Sequence, residues 1–300
     1  QTNKYKIIKK LGSGSFAEVF KGINKKNNST VAIKQLKEGV KWNSFKREVF
    51  VLQKLAKLTQ INRLYDIIND VQKNQYSLVL EYAKGNVLSK QLVNLTKFEI
   101  QYYTYQLFDI INKSHKLNII HRDIKTENII VDSQKKILRL VDWGQSYPYI
   151  PNEMKENIAG TYLYRPPELN LKEEKYRHHF TLGIDVWSIG ICFYRMIFNG
   201  AYPFKGDSLD TVLQSQMDFF QYKEYLKLSA LMNVNINATI YQDYNQQERT
   251  NMFGIKYIKQ HLEEDEFDLF NRIFQSNPAA RITAEEALKH KYFAQHEVRI

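Results

Sequence analysis

The sequence is poor in cysteine, proline and glycine. Cys192 is the single cysteine among 300 residues, so no disulfide can form within the chain and a disulfide-stapled fold is excluded. Because Cys192 lies in the apolar run SIGICFY, with no charged neighbour to activate it, we expect a buried core residue rather than a nucleophile. The 6 prolines and 12 glycines form no linker-like stretch, so the composition gives no sign of loosely tethered domains.

Long hydrophobic runs are also missing. No apolar stretch is long enough to span a bilayer, and no signal peptide is visible, so we expect no membrane contact. The sparing use of cysteine suits a reducing compartment. We therefore expect an intracellular protein that is located in the cytoplasm, the nucleus or both.

Acidic residues are fewer than basic ones. The chain has 43 Lys and Arg against 32 Asp and Glu, a formal net charge of +11. This excess favours acidic partners such as nucleic acid, anionic lipid, acidic peptides or nucleotide phosphates, although a solvated face of lysines explains it equally well. No nucleic-acid-binding motif is recognisable, so we expect no specific nucleic-acid partner. A length of 300 residues fits one fold of two packed lobes.

Hydrophobic patterning divides the chain near residues 82–86 into a strand-rich part and a helical part. The strand-rich part has predicted strands at 4–12, 17–23, 30–36, 61–69 and 76–82, and one helix at 44–58 with Phe45, Val49, Leu52 and Leu55 on one face. In the helical part, capping-box sequences open one helix at Thr96 and the last helix at Thr283, and an almost wholly apolar helix is predicted at 181–198. The predicted fold class is α+β.

Two features of the first part suggest phosphate binding. Gly12 and Gly14 lie between two predicted strands, where glycine lets backbone N–H groups approach a phosphate, although structural hairpin turns use glycine as well. Lys34 ends an apolar strand, and Glu48 lies on the apolar stripe of the predicted helix. A buried charge needs an opposite charge, so we predict that Lys34 and Glu48 pair; an edge lysine reaching solvent is the alternative.

Two polar strings of the second part carry the chemistry. HRDIKTEN, from His121 to Asn128, follows an apolar segment, and within it Asp123 can accept the proton of an attacking hydroxyl while Asn128 can bind a metal. Asp142 follows another apolar strand and precedes Trp143 and Gly144; a carboxylate at such a strand end can hold Mg²⁺. A charged surface turn explains any one of these residues, but explains the whole string poorly.

Taken in order, these strings resemble the protein-kinase family over essentially the whole chain. The resemblance rests on GSGSFAEV, VAIK, Glu48, HRDIKTEN, DWG, PPE, DVWSIG and Arg281. Ala17 stands where the usual pattern has its third glycine. LRLVDWGQ, with Trp143 after the metal-binding Asp, is more closely similar to the catalytic subunit of casein kinase 2, as are KREV and LVLEYAKGNVLSKQLVNLT.

The resemblance implies a bilobal kinase domain over residues 1–300, with a β-rich lobe at 1–83 and a helical lobe at 84–300. ATP, or alternatively GTP, would bind between the lobes with Mg²⁺. The implied nucleotide-binding residues are Gly12, Gly14, Val19, Ala32, Lys34, Glu81, Ala83, Ile130 and Val141, with Leu80 at the back of the pocket. The implied metal ligands are Asn128 and Asp142, and the implied catalytic residues are Asp123, Lys125, Lys34 and Glu48.

The function implied is transfer of the ATP γ-phosphate to serine or threonine hydroxyls of protein substrates. Lys125 and Thr161 match the serine/threonine pattern rather than the tyrosine one. A pseudokinase that acts as a binding scaffold is the alternative, which loss of Lys34, Asp123, Asn128 or Asp142 would have favoured. The family also implies a regulatory subunit of the casein kinase 2 beta type as a partner.

The chain departs from that family where acidic substrates are read. Lys41, Lys46 and Arg47 remain of a basic run ahead of the first helix, but Trp42, Asn43 and Ser44 stand where further lysines would be expected. Further along, Ile158 and Tyr162 replace arginines, and Arg165 stays basic. We therefore expect a weaker preference for acidic substrates than the family has.

Overall fold

A computed structural model describes most of the chain. The described residues are 4–40, 42–70, 75–151, 153–155, 160–171, 178–220, 222–232 and 255–294. None of the helices within these ranges is long and apolar enough to cross a membrane.

The N-terminal part forms one antiparallel five-stranded sheet in the order β1-β2-β3-β5-β4. Its strands are β1 (Tyr5–Ser13), β2 (Ala17–Asn24), β3 (Thr30–Leu36), β4 (Leu64–Asp70) and β5 (Gln75–Glu81). One face of β3 packs Val31 and Ile33 into a small cluster with Val79. The other face turns Ala32 and Lys34 toward the second lobe, because successive strand residues point to opposite faces.

The single long helix of this lobe, α1, covers Trp42–Lys54. The predicted helix 44–58 began too late and ended too late: Leu55 is buried in the turn that follows, and its N–H bonds the Val51 carbonyl at 3.0 Å. Trp42 stacks on Phe45 with ring centroids 5.1 Å apart, which extends the helix toward its N-terminus. The predicted strand 61–69 likewise starts later, at Leu64, because Ile61 forms an isolated bridge with Leu140 instead.

The remainder is mostly helical. Its helices are α2 (Lys97–Lys116), α3 (Pro167–Asn170), α4 (Gly183–Ile197), α5 (Leu209–Phe220), α6 (Tyr222–Met232), α7 (Ile255–His261), α8 (Glu264–Ile273), α9 (Ala284–Leu288) and α10 (Lys291–Ala294). The predicted capping boxes at Thr96 and Thr283 both form. The second does not open the last helix, because α10 follows α9 after a short turn.

Helix α4 is the centre of the helical lobe. Its residues from Ile184 to Met196 are all buried, including Cys192, whose thiol pKa is raised by burial. Gly190 allows close packing on α8, since an added Cβ would lie 2.4 Å from Ile273 and 2.9 Å from Phe274. The almost wholly apolar composition of this segment thus places it where water is excluded on every side.

Short strands at the inner edge of this lobe position the polar strings found in the sequence. The strands are β6 (Asn86–Val87), β7 (Ile119–Ile120), β8 (Ile129–Asp132), β9 (Ile137–Leu140), β10 (Tyr147–Pro148), β11 (Met154–Lys155) and β12 (His178–His179). β8 and β9 form an antiparallel hairpin that pairs Ile129 with Leu140. The residues before β8 and after β9 therefore meet at one end of the hairpin.

A five-stranded sheet lobe and a helical lobe confirm the predicted α+β, bilobal fold. The extents 1–83 and 84–300 remain predictions.

Candidate active site

Lys34 and Glu48 form a buried ion pair between the sheet and α1. Lys34 Nζ lies 2.6 Å from Glu48 Oε1, and the two side chains are 9% and 5% exposed. Glu48 comes from the buried side of α1, which also presents Phe45 and Leu52. The spacing on the helix therefore places the carboxylate that the lysine needs. Nearby carboxylates raise the pKa of Lys34 above its usual range, so the amine stays charged.

Asp142 brings a second carboxylate to the same lysine. Its Oδ1 is 2.7 Å from Lys34 Nζ and accepts a bond from the Gly144 N–H at 3.4 Å. The residue has φ +62°, a left-handed conformation that is uncommon outside glycine and turns the side chain out of the β9 direction. Lys34 lowers the pKa of Asp142 to about 2, so this carboxylate is ionised at neutral pH.

Asp123 is surrounded by three polar side chains. Lys125 Nζ lies 2.8 Å from Asp123 Oδ2, and the Thr161 hydroxyl lies 3.3 Å from Asp123 Oδ1. Lys125 Nζ also reaches the Thr161 hydroxyl at 3.2 Å. The amide nitrogen of Asn128 donates to the backbone oxygen of Asp123 at 2.9 Å. A carboxylate held in this way has a fixed direction, as the orientation of a reacting hydroxyl requires.

Asp185 holds the loop that carries Asp123. Its carboxylate accepts the backbone N–H groups of His121 and Arg122, each at 2.8 Å, and lies 3.0 Å from His115 Nε2. Arg122 has φ +71°, and a backbone in this region needs such fixed contacts to persist. Helix α4 therefore anchors the segment from His121 to Asn128 through Asp185.

Asn128 and Asp142 form a donor set that suits Mg²⁺. They meet because the β8–β9 hairpin joins their neighbours, and the Val141 N–H donates to the Asn128 carbonyl at 2.8 Å. The Asn128 amide nitrogen faces Asp123, which leaves the amide oxygen as the atom for a metal. One carboxylate and one amide oxygen are hard ligands, and Mg²⁺ takes its remaining ligands from water and substrate phosphates. No group of three or more His, Cys, Asp or Glu converges within the described ranges.

A cavity of about 350 Å³ joins the two lobes at these residues. Of the residues predicted for the site, its lining includes Gly14, Val19, Lys34, Glu48, Asp123, Lys125 and Asp142. Gly14 has no atom nearer than 3.9 Å to the position of an added Cβ, and Gly12 has none within 4 Å. Packing within the described chain therefore does not demand glycine at either position, and a ligand that approaches the backbone remains the predicted reason for them.

The other predicted nucleotide residues do not line this cavity. Ala32 and Ala83 are buried, and Ala32 pairs with Leu80 across β3 and β5. Ile130 and Val141 lie half-buried on the side of the helical lobe. Of the residues that the resemblance implies around adenine, which are Val19, Ala32, Ile130 and Val141, the cavity reaches Val19, and its other predicted residues are those implied for phosphates, metal and catalysis.

Glu81 has backbone partners within the protein. Its N–H donates to the Arg63 carbonyl at 2.8 Å, and its carbonyl accepts from the Asn62 amide at 2.6 Å. A carbonyl oxygen has a second lone pair, so the oxygen rather than the N–H of Glu81 is the group suited to an adenine.

Trp143 and Arg47 join the segment after Asp142 to both lobes. Trp143 is buried, donates to the Leu140 carbonyl at 3.2 Å and packs against His121 with ring centroids 4.5 Å apart. Arg47, on α1, donates to the Ser146 carbonyl at 3.1 Å and stacks over Tyr147 at 4.9 Å. The sequence assigned Arg47 to substrate reading, but these contacts tie it to the protein itself.

The other residues at the positions where the family resembled reads acidic substrates have different surroundings. Lys46 is exposed, whereas Arg165 is only 7% exposed and donates to the Gly160 carbonyl at 3.0 Å. Tyr162 is 39% exposed and lies under the Arg165 guanidinium. Lys41 and Ile158 lie outside the described residues.

Sequence reasoning missed a charged residue that contacts the segment from His121 to Asn128. Arg195 on α4 reaches both Thr126 and Glu127, which lie between Lys125 and Asn128. The sequence feature that could have indicated it is an arginine in an almost wholly apolar helix, because a buried arginine needs an acidic partner.

Comparison with known families agrees with the motifs. The sequence model described as the protein kinase domain matches residues 5–293, nearly the whole chain.

Proposed function

The chain belongs to the protein kinase family, and from this premise we propose that it transfers the γ-phosphate of ATP to serine or threonine hydroxyls of proteins, with Mg²⁺. The observation that carries the proposal is Lys34, whose amine lies within 2.7 Å of both Glu48 and Asp142. A lysine held between the lobes in this way is poised to bind nucleotide phosphates. GTP is a second donor that the same contacts accommodate.

The roles proposed for the chain's own groups follow from their charges. Asp123 orients the acceptor hydroxyl and accepts its proton as the hydroxyl oxygen attacks the γ-phosphorus, and the bond to the β–γ bridging oxygen breaks. Lys125 contacts the transferred phosphoryl group and Lys34 contacts the phosphates behind it. Asn128 and Asp142 would hold Mg²⁺, which would supply positive charge against the developing negative charge. Positioning and charge neutralisation account for most catalysis of this reaction.

Lys125 and Thr161 support serine and threonine as the acceptors. Their contacts with each other and with Asp123 close the space beside the carboxylate, at 2.8 to 3.3 Å. A scaffold without catalytic activity has no supporting observation here, because Lys34, Asp123, Asn128 and Asp142 are all present.

We further propose a casein kinase 2-like enzyme with reduced selection for acidic substrates. The support is that the guanidinium groups of Arg47 and Arg165 donate hydrogen bonds to backbone carbonyls of the protein itself. Exposed Lys46 remains for an acidic peptide, and one exposed ion pair contributes only about 0.2–1 kcal/mol. A regulatory subunit of the beta type stays part of the proposal on resemblance alone.

Incubation with labelled ATP, Mg²⁺ and a degenerate peptide library tests both levels. We expect label on serine and threonine, with weak selection for Asp or Glu directly after the acceptor and tolerance of an apolar residue there. Label confined to tyrosine would refute the acceptor assignment. Strong selection for acidic residues at physiological ionic strength would refute the reduced preference while leaving the kinase assignment intact.

A further inference from the structure

The short turn that links Lys125 to Asn128 is contacted by a side chain from the core of the helical lobe. Thr126–Asn128 forms a single 3₁₀ turn directly after Lys125. Thr126 is fully buried, whereas the Glu127 side chain is 43% exposed. Any movement of this turn shifts Lys125 and Asn128 together, because Lys125 directly precedes the turn and Asn128 is its last residue.

Arg195 contacts this turn from α4. Its Nη1 donates to the Thr126 hydroxyl and to the Tyr164 hydroxyl, and it lies 3.3 Å from Glu127 Oε1. The Arg195 side chain is 9% exposed, and the Glu127 carboxylate is its charged partner. Removal of Arg195 therefore takes a charged hydrogen-bond donor away from the Thr126 hydroxyl, the Tyr164 hydroxyl and the Glu127 carboxylate at once.

Tyr164 connects the same turn to the segment that carries Thr161. Its hydroxyl lies 3.3 Å from the Thr126 nitrogen and donates to Glu127 Oε2 at 3.2 Å. Burial raises the pKa of Tyr164, which keeps the hydroxyl protonated and able to donate. The segment from His121 to Asn128 and the segment from Thr161 to Arg165 are therefore joined at one point, where Arg195 contacts both.

The guanidinium of Arg195 is itself fixed on its other side. Its Nε donates to the Gly200 carbonyl at 3.2 Å, and its Cζ lies 4.0 Å from the centroid of the Tyr202 ring. A planar group with donors on two edges can make these contacts and those to Thr126 and Glu127 at once; an ammonium group cannot.

We propose that Arg195 is a positioning residue that sets the placement of Lys125 and Asn128 through Thr126 and Glu127. The inference rests on the proposed kinase function for its effect on catalysis, but its effect on the turn is independent of activity. Arg195 touches none of the groups that would contact nucleotide or acceptor. Its loss should therefore lower turnover without weakening nucleotide binding.

Steady-state kinetics and amide hydrogen exchange of Arg195→Met test the proposal. We expect kcat to fall about tenfold to a hundredfold, the cost of a small misplacement in an active site, with KM for ATP changed by less than about twofold. Amides of 121–130 should exchange faster, whereas those of α9 should not change. Arg195→Lys should recover only part of kcat, because it restores the charge but not the second edge of donors.

Arg272→Met is the matched control, because Arg272 also pairs with a carboxylate of the helical lobe, that of Asp268, but is 57% exposed. It should leave kcat and exchange at 121–130 unchanged. Glu127→Gln changes the more exposed partner of the same contact, and it tests the proposal if Arg195→Met fails to fold. It should also make the amides of residues 121–130 exchange faster. Unchanged exchange and kcat in either variant would overturn the proposal. If the wild-type protein transfers no phosphate, the kinase proposal fails, and the exchange data still decide the role of Arg195.

Discussion

The two lobes contribute to the site by different means. Residues 1–83 contain 16 Lys and Arg against 6 Asp and Glu, a net charge of +10, whereas residues 84–300 contain 27 against 26. The N-terminal lobe brings Lys34, Arg47 and Glu48 to the cleft, in a strongly basic setting. The helical lobe is nearly neutral, and it brings Asp123, Lys125, Asn128 and Asp142 on loops whose backbone is tied to α4 and to the β8–β9 hairpin.

This difference separates attraction from positioning. A basic lobe attracts nucleotide phosphates and acidic substrates over a distance, and salt weakens that attraction. Fixed hydrogen bonds act only at contact, and salt affects them little when they are buried. We therefore expect changes of buried, hydrogen-bonded residues to lower stability and turnover, and changes of exposed basic residues on the N-terminal lobe to alter binding and substrate preference.

The largest effect should come from the buried ion pair of the helical lobe. Arg281 Nη1 and Nη2 bond the two carboxylate oxygens of Glu168 at 2.8 and 3.0 Å, and the side chains are 0% and 4% exposed. Arg281→Met leaves Glu168 buried without that charge and should lower the free energy of unfolding by about 3–5 kcal/mol in urea titration. Glu48→Gln should cost clearly less, because Lys34 retains Asp142. Equal losses would contradict this contrast between lobes.

Asp142→Asn should abolish most turnover while the protein stays folded. The change removes the carboxylate that we propose as a metal ligand, and we expect kcat to fall by at least about a hundredfold, with a raised Mg²⁺ requirement. Asp210→Asn, in the exposed first turn of α5, is the control and should keep wild-type kinetics. Wild-type turnover of Asp142→Asn over a magnesium titration would rule out the metal assignment.

Arg47 and Lys46 are neighbours on α1 that should behave differently. Arg47→Met loses charged hydrogen bonds to Ser146 and Gly144 and should lower turnover on every peptide, by about tenfold. Lys46→Met should lower kcat/KM on acidic peptides alone, by at most about fivefold, the upper range for an exposed ion pair. Parallel assays on an acidic and a neutral peptide measure both. A peptide-selective loss in Arg47→Met would return that residue to substrate reading.

The smallest effect concerns pH. Burial lowers the pKa of His121, against the opposing charges of Asp185, Asp123 and Asp142. The unfolded chain therefore binds a proton at His121 at about pH 6.5, whereas the folded protein binds it only at lower pH. The contribution of His121 to the free energy of unfolding is thus present above about pH 6.5 and is lost as the pH falls below that value. Unfolding free energies between pH 8 and pH 5 should fall less steeply for His121→Gln than for the wild type. Identical slopes would exclude His121 as a cause.

The sequence predicted the parts of the site that local pattern controls. Glu48 was found because helical spacing puts a carboxylate on an apolar stripe, and the two-lobed α+β fold followed from the change of period near Tyr82. Helix ends were less accurate, because tertiary contacts such as that of Trp42 with Tyr76 on β5 contribute to them.

Long-range partners were beyond the reach of sequence pattern. Arg195 lies 69 residues from Thr126, and neither propensity nor spacing relates them. Arg47 looked like one of several surface cations until its contact with Ser146, 99 residues away, was seen. In both cases the sequence shows an arginine but does not show which residue it contacts.

The most direct test of the whole account is phosphate transfer by the wild type and by Asp123→Asn in one assay with labelled ATP and Mg²⁺. The substitution keeps the size of the side chain and removes the carboxylate that faces Lys125 and Thr161. We predict transfer to serine or threonine by the wild type and a loss of at least about a hundredfold in the variant, with nucleotide binding retained. Wild-type turnover by Asp123→Asn would contradict the proposed mechanism.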